Sequence, residues 1–310
     1  MRTFKFIFLT ILAPILAVAG WLLRRREVNT IFEPDTGLAV LWTLPTISLI
    51  ALSAFAVVLF FLLARRAGAK REIVRFSEAF GKEDESVRDA IAPVFILLGL
   101  LAASFPAWEL VNALVAGAAV TVRDLIWSLG GLISGLCLLF LAYLGRRGRS
   151  VALLSAFPVF WLCATLIFSY FDNAMDPVLL RHVYFFFALA FLVLGFYYVA
   201  GFSFGLGRVT RLLFSAWTAI YFVGVMLGDG LPWYRCAFFL SLAAMLFLYQ
   251  SLLLHKLLCP KSELLFSVDD TGDAPVDEPE YIPFSEDGLP DLDSDLGWLM
   301  DENDKNGNTP

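Results

Sequence analysis

Two charge-free apolar runs, separated by a short polar turn, constrain the fold of this chain more than any other feature. The runs are Val151–Tyr170 and Val183–Phe202, each 20 residues long. Because a helix rises about 1.5 Å per residue, each run can cross the ~30 Å hydrocarbon core of a bilayer. The hydrophobic composition, 59%, also exceeds the roughly 45–50% of soluble domains. The sequence therefore predicts an integral membrane protein in contact with lipid.

Further apolar runs extend this pattern and predict an all-α, polytopic bundle of about eight transmembrane helices. The other six runs are Phe4–Leu23, Leu38–Ala64, Ala90–Trp108, Leu125–Leu144, Leu212–Gly228 and a run from Cys236 to Leu254 or Leu258. These runs define a membrane domain over residues 1–258.

Two segments have more than one interpretation. Ala17-x-Ala19 imitates a signal-peptidase site, but the first apolar run is long and Arg24–Arg26 follow it directly, which favours an uncleaved helix. Leu110–Val122 is apolar but too short to cross the membrane again. We interpret it as an interfacial or re-entrant piece after the third span.

The distribution of basic residues predicts the orientation. Residues 65–90 form a basic loop whose apolar positions Ile73, Val74, Phe76 and Phe80 predict a short amphipathic helix at the membrane surface. If eight helices alternate from a cytoplasmic N-terminus, 16 Lys and Arg fall on the inner side and 6 on the outer side. Cytoplasmic segments of membrane proteins are the basic ones. We therefore expect a bacterial plasma-membrane protein with both termini in the cytoplasm.

Polar residues near the predicted outer ends of the helices are candidate contacts for a solute or an ion. An acid in or beside an apolar run is costly unless it has a partner or a function. Local helix capping and ion pairing, such as Asp124 beside Arg123, are the alternative explanation for several acids. The candidates are Glu109, Asn112, Asp172, Asp176 and Asp229.

Three GxxxG steps predict close helix packing, because glycine lets two backbones approach. They occur at Gly131/Gly135, Gly201/Gly205 and Gly224/Gly228. Packing within the bundle is the first interpretation, and a homo-oligomer interface is the second.

Residues 259–310 differ in character from the rest of the chain. This segment has 15 acidic and 2 basic residues, and such a composition predicts a disordered cytoplasmic tail. Apolar residues among the acids suggest a short motif that folds on a cytoplasmic protein partner, with a plain solubilising tail as the alternative. The candidate motif residues are Leu292, Leu296, Trp298, Leu299 and Met300.

Other chemistry has little support in the sequence. His182 and His255 are predicted at opposite ends of the bundle and cannot share a metal or a haem. No nucleotide-binding loop, catalytic motif or zinc motif occurs. We expect no cofactor and no nucleic-acid partner. Dense aromatic residues around the central turn favour a lipid-facing belt over a ligand pocket.

Three segments carry a resemblance to a known family. They read FEPDTG after the first run, FWLCATLIFSY before the central turn, and DPVLL with YYVAGFSFG after it. In these segments the chain resembles an uncharacterised family of multi-pass membrane proteins from anaerobic, Gram-positive-type bacteria. The resemblance covers the membrane domain and not the tail. It implies a membrane location, no assigned activity and no functional residue.

Two functional classes follow from the sequence. The first is a non-catalytic scaffold or sensor that recruits a partner through its acidic tail. The second is a small-solute or lipid transporter that uses Glu109, Asn112 and the other outer acids. A membrane enzyme is the third and weakest interpretation, because no catalytic signature occurs.

Overall fold

A computed structural model describes residues 2–31, 43–68, 73, 76–80, 85–115, 117, 122–146, 152–173 and 182–258. Over these residues the chain is all-helical, and eight helices are long and apolar enough to cross a membrane, which confirms the predicted fold class. The α-helices of the described residues are α1 Arg2–Ile31, α2 Leu44–Gly68, α3 Phe76–Phe80, α4 Glu85–Val115, α5 Val122–Arg146, α6 Ala152–Asn173, α7 Val183–Ser203, α8 Val209–Met226 and α9 Trp233–Leu258.

The bundle is built around α8, which packs against α1, α2, α7 and α9. This helix is apolar on nearly all sides, as expected for a helix with protein neighbours all round. Its Trp217 and Tyr221 are almost fully buried. Phe60 of α2 packs on both rings, with centroid distances of 6.1 and 6.4 Å.

Small residues allow the closest helix contacts. A Cβ added at Gly135 of α5 would overlap the backbone of Ala103 in α4, and one at Gly131 would come within 2.7 Å of Pro106 Cγ. Between α8 and α1, a Cβ at Gly224 would lie 2.6 Å from the Cβ of Ala17. These glycines are therefore turned towards neighbouring helices of the same chain.

The Gly201/Gly205 step differs from the other two, because neither glycine meets another helix among the described residues. Gly205 lies beyond the end of α7 and has a φ of 71°, a left-handed conformation that favours glycine. The N–H of Leu206 donates to Gly201 O at 2.8 Å, and the N–H of Gly205 donates to Phe202 O at 3.2 Å. This is the hydrogen-bond pattern of a Schellman motif, which ends the helix.

The path after the third span also differs from the prediction. The part of the predicted re-entrant segment that is described, residues 110–115, continues α4 without a break. Pro106 lies inside this helix and packs on Gly131. At about 1.5 Å per residue, the 31 residues of α4 span roughly 46 Å. A separate interfacial piece is therefore wrong for residues 110–115.

The basic loop contains the short helix α3, and its apolar side faces the bundle. Phe76 and Phe80 are buried, and α3 contacts α7 and α9. The ring of Phe80 lies 5.5 Å from that of Phe202 and 5.2 Å from that of Tyr249. Phe76 and Phe80, two of the predicted apolar residues, thus pack against protein.

The chain divides after Lys261 into two units. Residues 262–310 lie outside the described residues, and so do the predicted disorder and the partner motif of the tail.

Candidate functional site

A polar cavity of about 330 Å³ lies at the end of the bundle where α4, α6 and α8 end and α5, α7 and α9 begin. We call it the end cavity. Its volume falls at the lower limit of the roughly 300–1,000 Å³ typical of small-molecule pockets. The lining combines polar and aromatic side chains: Asp124, Trp127, Thr165, Phe168, Ser169, Asn173, His182, Phe185, Asp229, Leu231, Arg235 and Phe239.

Asp229 is the acid of the end cavity with the most unusual environment. It lies in a 3-10 turn, Leu227–Asp229, and Gly230 then reverses the chain with a φ of 73°. Its side chain is only 8% exposed. Its Oδ1 accepts a hydrogen bond from Arg24 Nε at 2.5 Å, while its Oδ2 is buried and has no hydrogen-bond partner. A buried, unsatisfied carboxylate oxygen is costly and points to a missing donor.

Arg24 is the buried ion-pair partner of Asp229. It is 1% exposed, and its Nη1 donates to Glu27 Oε2 at 2.7 Å, one turn along α1. Its guanidinium also lies 4.9 Å from the ring centroid of Tyr184 in α7. Gly228 makes room for this arginine, because a Cβ there would come within 2.9 Å of the Arg24 side chain. The Arg24 network therefore joins α1, α7 and the turn after α8.

A second ion pair joins Glu109 to Arg235, which is one of the lining residues of the end cavity. Glu109 of α4 accepts a hydrogen bond from Arg235 Nη2 at 2.7 Å and one from Trp127 Nε1 at 2.8 Å. Arg235 also lies 5.7 Å from the ring centroid of Trp127. The side chain of Arg235 is 42% exposed and that of Glu109 is 19% exposed. This pair is therefore more open than the Arg24 network, and it fixes two lining residues from α5 and α9.

Aromatic packing fixes the same walls. The ring of Trp127 lies 5.1 Å from Trp161 and 6.3 Å from Phe239. The ring of Phe185 meets Phe239 edge to face at 5.7 Å. These contacts restrict the ring orientations, so the cavity is largely pre-formed.

The predicted solute contacts fall into three groups. Asp229 lines the cavity, and Glu109 stands behind it, bonded to two lining residues. Asn112 is exposed on α4 and is not one of the lining residues. The side chain of Asp172 and the whole of Asp176 lie outside the described residues.

Arg24 is the residue of the site that sequence reasoning placed wrongly. The first predicted run ends at Leu23 and leaves Arg24 beyond it, but α1 continues to Ile31 and buries this arginine. The spacing of Arg24 and Glu27, three residues apart, was a usable local signal for an ion pair on a helix. Its pairing with Asp229, 205 residues away, leaves no local signal.

The aromatic residues of the central hairpin divide between the two interpretations made of them. Phe168 and Phe185 line the end cavity. Phe160 and Phe171 have exposed rings on α6 and fit the lipid-facing belt. The density of aromatic residues in the sequence does not by itself distinguish those that line the cavity from those that are exposed.

Comparison with known proteins gives no relative: no family model, no curated protein and no solved structure matches the chain.

Among the described residues, no three His, Cys, Asp or Glu side chains gather in a way that could hold a metal ion.

Proposed function

We propose that this multi-pass membrane protein binds a small polar solute in the end cavity, as the recognition step of transport or solute sensing. The observation that carries the proposal is the Oδ2 atom of Asp229, which is buried at a cavity wall without a hydrogen-bond donor. Natural proteins rarely leave such an atom unsatisfied unless water, an ion or a ligand completes it.

The surrounding chemistry supports a solute site over a purely structural one. Hydroxyl, amide and carboxylate groups from α5, α6 and the turn after α8 converge on one space of about 330 Å³. A few placed polar groups within aromatic walls is the usual composition of a small-molecule site. Intramembrane ionisable residues, such as Arg24 and Glu27 within the first span, commonly mark solute or ion pathways.

The orientation is part of this proposal. The excess of Lys and Arg in the segments at the opposite end, including residues 65–90, supports a cytoplasmic location for that end. In a bacterial plasma membrane the end cavity then faces the exterior, and both termini face the cytoplasm.

A cavity-filling variant tests the proposal. Thermal unfolding of the purified protein in detergent is measured with four panels: amino acids, amines, carboxylates and sugars. Ser169→Phe places a ring in the cavity, whereas Ser104→Phe places the same ring at an exposed position on α4. A ligand present at about 100 times its Kd stabilises the folded state by roughly 2.7 kcal/mol.

We expect at least one panel to raise the melting temperature of the wild type and of Ser104→Phe, but not that of Ser169→Phe. No stabilisation in any panel contradicts the proposal. Stabilisation that persists in Ser169→Phe also contradicts it, because the ligand would then bind elsewhere.

The acidic tail supports a second candidate function, a scaffold or sensor that recruits a cytoplasmic partner. Its support is in the sequence, where Leu292, Leu296, Trp298, Leu299 and Met300 interrupt an acidic segment. Deleting residues 262–310 separates the candidates: a scaffold loses its partner, whereas a solute site keeps its ligand. A tail peptide that captures no protein counts against the scaffold.

The glycine steps give little support to a homo-oligomer. Gly131, Gly135, Gly224 and Gly228 already face helices of the same chain. A dimer through these positions would require the bundle to open, so the proposed solute site is placed within a single chain.

A further inference from the structure

The charges around the end cavity point to its ligand, and we infer that the solute is a small organic cation that carries an ammonium or guanidinium group. This inference rests on the proposed solute site and adds the chemical class of its ligand. It is carried by the charge balance of the described residues, by the unpartnered oxygen of Asp229 and by the aromatic walls.

The described residues in and behind the walls have an excess of carboxylates. Asp124 and Asp229 line the cavity, and Glu27 and Glu109 stand behind it. Against these four acids stand two guanidiniums, Arg24 and Arg235. Among the side chains described here, carboxylates therefore outnumber guanidiniums.

Both guanidiniums already have carboxylate partners. Arg24 is bonded to Glu27 and Asp229, and Arg235 is bonded to Glu109. An anionic solute would therefore compete with existing ion pairs and would also meet the Asp229 carboxylate at the wall. Like charges repel more strongly in a site partly shielded from water than in bulk solvent, so an anion is disfavoured there.

Asp229 Oδ2 requires a donor rather than an acceptor. A carboxylate oxygen only accepts hydrogen bonds. The N–H groups of an ammonium or guanidinium ion donate to carboxylates in short, charge-assisted bonds, which are about twice as strong as neutral ones. A cationic donor satisfies the buried oxygen and offsets the excess negative charge at the same time.

The aromatic walls favour an organic cation over a bare metal ion. Trp127, Phe168, Phe185 and Phe239 offer ring surfaces but no oxygen ligands. Cations bind over ring faces within about 6 Å of the centroid. Rings at this end already do so for two arginines, at 4.9 Å for Arg24 over Tyr184 and 5.7 Å for Arg235 over Trp127.

Ligands of similar shape but different charge test the effect of the positive charge on binding. 3,3-Dimethylbutylammonium, which has three N–H donors, is compared with 3,3-dimethylbutan-1-ol, its neutral analogue of nearly the same shape, and with 3,3-dimethylbutanoate, an anion. Methylammonium and guanidinium chlorides extend the cation series, with potassium chloride keeping the ionic strength constant. Binding to purified full-length protein in detergent is measured by thermal unfolding and by quenching of tryptophan fluorescence, since Trp127 lines the cavity.

We expect at least one organic cation to bind the wild type, and 3,3-dimethylbutylammonium to bind more tightly than its neutral analogue by about tenfold or more. Asp229→Asn should remove this preference. Because Asp229→Asn also takes a charge from Arg24, Asp124→Asn serves as a second variant that leaves the Arg24 network in place. It should weaken cation binding and leave the neutral analogue unaffected.

The outcomes separate this inference from the proposed function. If the neutral analogue or the anion binds as well as 3,3-dimethylbutylammonium, the cationic class is wrong while a solute site remains. The class is also wrong if none of the cations binds while another panel stabilises the wild type but not Ser169→Phe. If no ligand of any class binds in the end cavity, both the inference and the proposed function fail.

Discussion

Removal of Arg24 should destabilise the bundle far more than removal of the neighbouring Arg25. Arg24 is 1% exposed and neutralises Glu27 and Asp229, whose side chains are 2% and 8% exposed. Arg24→Met keeps an unbranched chain of similar length but leaves two buried carboxylates without their cation. Breaking a buried ion pair from one side costs about 3–5 kcal/mol, and we expect a loss in the free energy of unfolding of that size.

Arg25→Met is the matched control, because it makes the same change one residue further along α1. Arg25 is exposed and its guanidinium lies 5.6 Å from the ring centroid of Trp21. An exposed cation–π contact contributes about 0.5–1 kcal/mol. Arg25→Met should therefore lower the free energy of unfolding by about 1 kcal/mol or less.

The assay is equilibrium unfolding in mixed micelles with increasing dodecyl sulfate, followed by circular dichroism. A neutral triple variant, Arg24→Met with Glu27→Gln and Asp229→Asn, removes the unpaired charges and should recover much of the loss, since uncharged replacements of buried ion networks are often close to neutral. The reasoning is refuted if Arg24→Met and Arg25→Met lose the same amount, or if the triple variant is less stable than Arg24→Met alone.

Three further predictions concern packing, the second ion pair and the tail. Gly135→Ala should lower the free energy of unfolding by about 1–3 kcal/mol, because the added Cβ overlaps Ala103. Gly201→Ala, where the nearest atom to the added Cβ is 3.4 Å away, should raise it by up to about 1 kcal/mol in the same titration. Equal effects of the two substitutions would contradict the packing described. Glu109→Gln should lower the free energy of unfolding by about 1 kcal/mol, because Arg235 is 42% exposed and water can solvate it. A decrease as large as that of Arg24→Met would show that this ion pair is more deeply desolvated. Truncation after Lys261 should leave the melting temperature and ligand binding unchanged, and loss of either would assign the tail a role in the solute site.

The membrane fold could be predicted because its signal is local. A run such as Val183–Phe202 carries its length and polarity in consecutive residues, and the bilayer imposes the same requirement on every span. Segments with weaker local signals were harder. The predicted third span ends at Trp108, before Glu109, yet α4 continues to Val115. Pro106 lies inside this helix, and a proline inside a membrane helix is tolerated when neighbouring helices support it.

The candidate site was only partly predictable, because its key contacts are long-range. Asp229 and Glu109 stood out as acids beside apolar runs, but their partners Arg24 and Arg235 are 205 and 126 residues away. Asn112 has the same local context as Glu109, and only the direction of its side chain on α4 separates the two. The GxxxG spacing likewise does not distinguish a packing face from a helix end such as Gly201/Gly205.

Cavity accessibility is the most direct test of the account. A single cysteine replaces Ser169 in a background with the four native cysteines removed, and intact cells are treated with a membrane-impermeant thiol reagent. Pro232→Cys, an exposed position in the turn before α9, is the control for the same end of the bundle. The account predicts labelling at both positions, with 3,3-dimethylbutylammonium slowing the reaction at Ser169→Cys only. Labelling of Pro232→Cys alone would mean that the end cavity is closed, and labelling of either position only after permeabilisation would mean that this end faces the cytoplasm.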